Sequence, residues 1–487
     1  MRPSFLDRLI RCKPLASFVA EASDDREHKA LGRSIGLFHL VMFGVGGTIG
    51  TGIFFVLSQQ VPVAGPAVIL SFLIAGVAAG LTALCYAEIS SLIPISGSSY
   101  SYAYATLGEG AAYFVAACLV LEYGVSAAAV AVGWSEYLAK LVSDLFGMTL
   151  PYALSHAPLL VDPDNPYALA FGGAGVANLP AVLLVGLCSL LLLRGSHESV
   201  LANTLMVIVK LSVLTLFIVV AGCAFHGANL KPFAPHGLGG ISTAAGSIFF
   251  TFVGLDAVST AGEEVVNPRR NLPLALLLAL LIVILFYSLV AAAALGVQPA
   301  AEFQGQEAGL AVILEAVTGA QWPADVLAAG AVVSIFSVTL VCLFGQSRIF
   351  FAMARDGLLP GFFYRVTQRS RAPYVCTIVV GVAVAAIAAF VPAEVLWDLT
   401  SMGTLVAFTI VSLGVIILRR TQPDAPRGFK VPLFPLLPML SVASCLYLIL
   451  HLHALVFEVT GIWLAIAGAV YLSYSARHSR LEESPRA

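Results

Sequence analysis

Twelve apolar windows, with basic residues sorted into alternate gaps between them, constrain this chain more than any single motif. The windows fall at 36–58, 65–93, 110–141, 178–194, 200–223, 241–261, 272–297, 324–352, 373–392, 395–418, 432–452 and 455–475. Each approaches or exceeds the ~20 apolar residues that carry a helix across a bilayer. An even number of spans returns both chain ends to one side. If that side is cytoplasmic, 22 of the 25 Lys and Arg residues lie in the tails, in the even-to-odd gaps or at the span ends beside them, as the positive-inside rule requires. Lys140, at the end of span 3, and Lys231 face the other side, and Lys210 alone lies in the middle of a span. Charged residues make up 11 % of the chain, less than half the roughly 25 % of a soluble domain. The expectation is an all-α integral membrane protein with both termini cytoplasmic, multi-pass in the cell (inner) membrane. The longest extramembrane stretch after the N-terminal tail is 142–177, and a cleavable signal peptide is not expected.

The first window holds Val45-Gly46-Gly47-Thr48-Ile49-Gly50-Thr51-Gly52-Ile53-Phe54-Phe55. Glycine and β-branched threonine are poor helix formers, so the run invites the backbone to leave the helix in mid-membrane. That is tolerated only where the backbone is buried in protein or lines a cavity. The alternative is close helix packing through the G-x-x-x-G pair Gly46 and Gly50. Span 6 repeats the feature in Gly246-Ser247-Ile248-Phe249-Phe250-Thr251-Phe252-Val253-Gly254-Leu255-Asp256. Interrupted helices at corresponding places in two halves point to a transporter's binding site. Five spans separate spans 1 and 6, so the second unit is inverted. The expected organisation is a tail 1–35, inverted repeats 36–223 and 241–418 with helices 1 and 6 broken, two further helices in 432–475, and a tail 476–487.

Lys210 lies about 15 Å along its helix from Val200, further than a lysine stem comfortably snorkels. An unpaired cation there costs at least ~2.5–3.5 kcal/mol, so it either pairs with a carboxylate or sheds its proton. Both outcomes suit a proton carrier; a permanent salt bridge between helices is the structural alternative. Glu122, about 20 Å into span 3, and Asp256, just past the second break, are the candidate partners. Glu88 reads as an interfacial residue, and the Tyr- and Ser-rich run 96–104 as loop packing. Eight scattered cysteines without a C-x-x-C pair suggest neither a zinc site nor disulfides. No phosphate loop, metalloprotease or nucleophile-elbow motif is present. Neither an enzyme nor a cofactor, a metal or a nucleic-acid partner is expected.

Gly50-Thr51-Gly52-Ile53-Phe54, Cys85-Tyr86-Ala87-Glu88, Pro94-Ile-Ser96-Gly97-Ser98, Leu121-Glu122-Tyr123, Phe250 to Ser259, Glu263-Glu264-Val-Val-Asn267-Pro268 and Phe351 to Pro360 resemble the amino acid–polyamine–organocation (APC) superfamily. Together they look like its cationic amino acid transporter family, in a bacterial-type member, from about Leu31 to Arg420. The resemblance implies the leucine-transporter-like fold, a 5+5 inverted repeat plus two helices. It places the carboxylate of an L-amino acid on the backbone around Thr48, Ile49, Gly50, Thr51 and Gly52. The substrate's ammonium group would meet carbonyls near Phe250, Thr251 and Val253, with Phe250 as an aromatic lid and Thr339 at the side-chain end of the pocket. It also implies that Lys210 stands where sodium-dependent relatives hold an ion, with Glu122 and Asp256 in its proton-coupling network. Uptake of L-amino acids with protons is therefore expected. An exchanger or facilitator of amino acids or polyamines and a non-transporting amino acid sensor are the alternatives. Cationic and neutral substrates both stay open.

Overall fold

The computed structural model describes residues 9–15, 17–18, 33–50, 52–162, 165–171, 175–304, 309–367, 371–450, 452 and 454–482. Its main helices run in chain order as α1 (Leu37–Thr48), α2 (Leu57–Ala64), α3 (Val68–Leu92), α4 (Ser98–Thr106), α5 (Glu109–Leu119), α6 (Ser126–Phe146), α7 (Leu179–Arg194), α8 (Ser196–Cys223), α9 (Gly237–Phe249), α10 (Ala257–Thr260), α11 (Pro268–Val297), α12 (Gly309–Thr318), α13 (Trp322–Arg355), α14 (Tyr374–Phe390), α15 (Ala393–Thr421), α16 (Leu436–Leu450) and α17 (Ala454–Val470). Among the described residues, eight helical stretches are long and apolar enough to cross a membrane, and five shorter apolar helices, α1, α7, α12, α14 and α16, accompany them. Helix α12 lies in a stretch with no apolar window of its own. Residues 142–177 contain an antiparallel two-stranded hairpin, Leu159–Asp162 with Asn165–Phe171, where the sequence suggests only a non-membrane segment.

Helix α11 lies along α3 and α1, α13 along α6 and α8, and α15 along α16. Small residues let these backbones approach. A Cβ at Gly44 would sit 2.8 Å from Val258 and 2.9 Å from Ala279, and one at Gly330 would sit 2.8 Å from Val213. Several buried hydroxyls are satisfied by the preceding turn of their own helix, as at Thr204 to Val200 (2.8 Å), Thr404 to Thr400 (3.1 Å) and Thr409 to Leu405 (2.8 Å). That is how a polar side chain avoids stranding its donor in an apolar interior.

Ion pairs gather at one end of the bundle, where both terminal segments dock. Glu109 accepts from Arg11 (2.8 Å), Tyr104 (3.0 Å), Tyr471 (3.0 Å) and Ser479 (2.6 Å). Asp356 accepts from Lys13 (2.5 Å) and Tyr100 (2.6 Å). Burial, and after it the Asp356 charge, holds the Tyr100 hydroxyl well above the usual phenol range, so it remains a donor. Glu264 pairs with Arg348 at 3.0 Å with both side chains fully buried. The Glu264 carbonyl also accepts from the amides of Ser34 (2.9 Å) and Ile35 (3.0 Å), so one residue ties the start of α1 to α13. Replacing Arg348 by Ala strands a buried carboxylate and should cost about 3–5 kcal/mol, read as a fall in the thermal unfolding midpoint. The double variant Arg348→Met/Glu264→Gln should recover most of the loss.

Candidate functional site: two facing helix breaks

Helix α1 ends at Thr48. Ile49 is extended (φ −76°, ψ 105°), and the chain resumes as a π-helical turn at Gly52–Val56 before α2. Helix α9 ends likewise at Phe249. A 3-10 turn, Phe250–Phe252, leads to an extended Val253 (φ −62°, ψ 143°) and to Gly254 at φ +91°, before the one-turn α10. The two breaks touch backbone to backbone. A Cβ on Gly254 would lie 2.7 Å from the Gly47 oxygen, and one on Gly47 would lie 3.0 Å from the Gly254 oxygen. Only glycine adopts the Gly254 backbone without strain.

A helix that stops in the interior leaves carbonyls without partners, and side chains from three other helices meet those of α1. Lys210 of α8, fully buried, donates from Nζ to Gly46 O (3.1 Å) and Ile49 O (2.5 Å). Ser337 and Ser334 of α13 donate to the same two carbonyls, both at 3.2 Å. Tyr287 of α11 directs its hydroxyl at Thr48 O (2.9 Å) and Thr251 O (3.1 Å), bridging the two breaks. The Lys210 amine thus caps the carbonyl end of α1, the negative end of its dipole. The carboxylate pairing that the sequence invites is not made: among the described residues no carboxylate pairs with Lys210, because Glu122 and Asp256 meet elsewhere.

Glu122 and Tyr123 sit on a π-helical turn, Val120–Val125, between α5 and α6. Tyr123 donates to Asp256 Oδ2 at 2.5 Å. The Glu122 and Asp256 carboxyl groups, each 1 % exposed, act on one another electrostatically. Asp256 Oδ1 and both Glu122 oxygens have no hydrogen-bond partner. Gln346 of α13, also buried, leaves both amide atoms unpaired. Its Oε1 lies 3.7 Å from where a Gly124 Cβ would be.

The remaining sequence candidates fall as follows. Thr48 bonds its hydroxyl to Gly44 O (2.8 Å). A Cβ at Gly50 would lie 2.5 Å from Val338, and one at Gly52 2.7 Å from the Thr251 Cβ, so the first break is walled by α13 and by the second break. Thr251 Oγ1 is buried and unpaired. Phe250 is half-buried and its carbonyl accepts from Val253 N (3.1 Å); the Val253 side chain is buried. Thr339 is fully buried and donates to Ile335 O of its own helix (3.3 Å). Thr51 lies outside the described residues. A cavity of about 60 Å³ opens beside the turn that follows the first break, among Phe54, Tyr137, Leu310, Glu315 and Asp325.

Sequence reasoning missed Ser334, Ser337, Tyr287 and Gln346. Ser334 and Ser337 sit three apart, on one face of α13. Tyr287 and Gln346 are polar groups deep in apolar helices, which is itself a signal.

A family model described as amino acid permease matches residues 35–471. The branched-chain amino acid permease BcaP of Bacillus subtilis is 40 % identical over 475 residues, covering 98 % of this chain and 99 % of that protein. The methylthioribose transporter of the same organism is 38 % identical over 480 residues, covering 98 % and 100 %. The vacuolar cationic amino acid transporter 4 of Arabidopsis thaliana is 36 % identical over 427 residues, covering 86 % of this chain and 68 % of that protein.

Proposed function

The chain belongs to the amino acid permease family, and from that premise we propose that it is a twelve-span transporter bringing L-amino acids into the cell by proton-coupled alternating access. Its two five-helix units form an inverted repeat, spans 11 and 12 stand outside it, and both termini are cytoplasmic. The observation that carries the reading is the pair of facing breaks: α1 stops at Thr48 and α9 at Phe249, with Gly47 and Gly254 in backbone contact. The substrate carboxylate is held by amides at the start of the turn Gly52–Val56, where a helix N-terminus favours an anion. The ammonium is held by carbonyls near Phe250, Thr251 and Val253, with the unpaired Thr251 hydroxyl close by. Lys210 completes the end of α1 when protonated and releases it when the proton leaves. Glu122 and Asp256 provide the second place for a proton.

The substrate side chain is neutral and aliphatic on this reading. Val338 lies against Gly50 and Val341 against Gly47, and the Thr339 hydroxyl is already engaged by its own helix. The branched-chain permease and methylthioribose transporter among the relatives are in keeping with an uncharged substrate. A cationic substrate is the second reading, supported by the unpaired Glu122 and Asp256 oxygens and by the relatives named for cationic amino acids. Competition by all twenty amino acids against labelled leucine in proteoliposomes decides between them. Isoleucine and valine should compete and arginine and lysine should not; the reverse order overturns the neutral reading. Initial uptake should rise with an inward proton gradient. Equal rates with and without it would reduce the protein to an exchanger or facilitator, and binding without flux would make it a sensor.

A further inference from the structure

We propose that Arg269, Arg270, Arg420 and Lys430 form a binding surface for the headgroup of an anionic phospholipid, at the end of the bundle where α3, α11, α15 and α16 meet. The site is built on a loop, 422–435, that is fastened to the end of α3 through Glu88. That carboxylate accepts from Arg419 (2.8 and 2.5 Å) and from the Val431 amide (2.7 Å), and Arg427 adds an ion pair at 3.2 Å. Ser91 accepts from the amides of Gly428 (3.1 Å) and Phe429 (3.3 Å). Arg427 also donates to the carbonyls of Pro423, Ala425, Leu418 and Gln422 at 2.8–3.1 Å. A Cβ at Gly428 would meet the Arg269 carbonyl at 2.1 Å, so the loop abuts the start of α11.

Arg419 and Arg427 are therefore consumed in fastening the loop, which carries Lys430; Arg420 stands at the end of α15, and Arg269 and Arg270 at the start of α11, which the loop abuts. All four are exposed, and no ion pair among the described residues involves them. Elsewhere at this end Arg11, Lys13, Arg348 and Arg355 each hold a carboxylate. Asp424 is the one acidic side chain on the loop, and it leaves the patch strongly positive. Like charges held together without partners are a cost unless an anion joins them. Leu433 (69 % exposed), Leu436 (54 %) and Val266 (42 %) flank the same patch. Cations beside exposed aliphatic side chains match a phosphate-bearing headgroup with its acyl chains, and basic pockets between helix ends on the cytoplasmic side attract such lipids. The inference rests on the membrane orientation proposed above.

The test uses the purified full chain and phosphatidylglycerol titrated into phosphatidylcholine nanodiscs, read by retained lipid in native mass spectrometry. The variant R269A/R270A/R420A/K430A should lose about tenfold or more in retention. A control that neutralises two exposed cations elsewhere at this end, R365A/R477A, should keep it. Retention within about twofold of wild type in the quadruple variant, or equal loss in the control, overturns the site. Inorganic phosphate competing as well as phosphatidylglycerol at equal concentration also overturns it, because the ligand is then a soluble anion. Unfolding in phosphatidylcholine alone confirms that the variant is folded; if it is not, R420A/K430A replaces it. The readout is binding, so a wrong substrate or coupling ion leaves this result untouched.

Discussion

Lys210→Ala is expected to abolish concentrative uptake while the protein still folds and binds substrate. Lys210 makes two hydrogen bonds to the end of α1, and bonds from a charged donor contribute about 1.5–3 kcal/mol each. Each 1.4 kcal/mol is a factor of ten, so losing both should reduce proton-driven accumulation about a hundredfold or more. The fold should survive for two reasons. Ser337 and Ser334 still cover Gly46 O and Ile49 O, and the cost of a buried, carboxylate-free cation disappears with it. Accumulation ratios in proteoliposomes under an inward proton gradient, paired with substrate exchange at equal pH, check the expectation. Exchange should persist within a few fold. Full accumulation in a folded variant would make Lys210 a structural capping residue and nothing more.

The second large effect belongs to Gly254→Ala. The added Cβ would meet Gly47 O at 2.7 Å and Gly47 C at 3.1 Å, and these are backbone atoms that no rotamer change can move. The backbone at φ +91° adds strain for any L side chain. Left-handed backbone costs about 1–2 kcal/mol and an overpacked interior about 1–3 kcal/mol, so the unfolding free energy should drop by about 2–5 kcal/mol. Uptake should fall to background, because the contact holds the two breaks in register. Gly461→Ala, where a Cβ meets nothing within 4 Å, is the matched control and should be close to neutral in both measurements. Wild-type uptake in Gly254→Ala would separate the two breaks functionally.

The glycine run in the first apolar window carries two sequence readings, a broken helix and a packing motif, and the structure shows that they coexist. The backbone leaves the helix after Thr48. Gly46 and Gly50 still serve close approach, since Cβ atoms there would sit 2.5 Å from Asn203 and from Val338. Glycine suits both ends because the property that weakens a helix, the missing Cβ, also lets a neighbour come near. The Tyr- and Ser-rich run at 96–104 reads as loop packing and is helix α4 in large part, with Tyr100 and Tyr104 closing on Asp356 and Glu109.

By itself the sequence determined the helical, membrane-compatible class, the places where two helices lose their regularity, and the one cation too deep in an apolar segment to reach water. Those are local properties: apolar run length, residue propensity and distance along a helix are all written within a few turns. Only the tertiary structure decided what Lys210 touches. Its partners at Gly46 and Ile49 are 164 and 161 residues away in the chain, and the Tyr287 bridge to Thr48 spans 239. Charge complementarity alone favoured a carboxylate for Lys210. The fold instead brought it the carbonyls at a helix end, which offer a cation the same negative potential without burying a second charge.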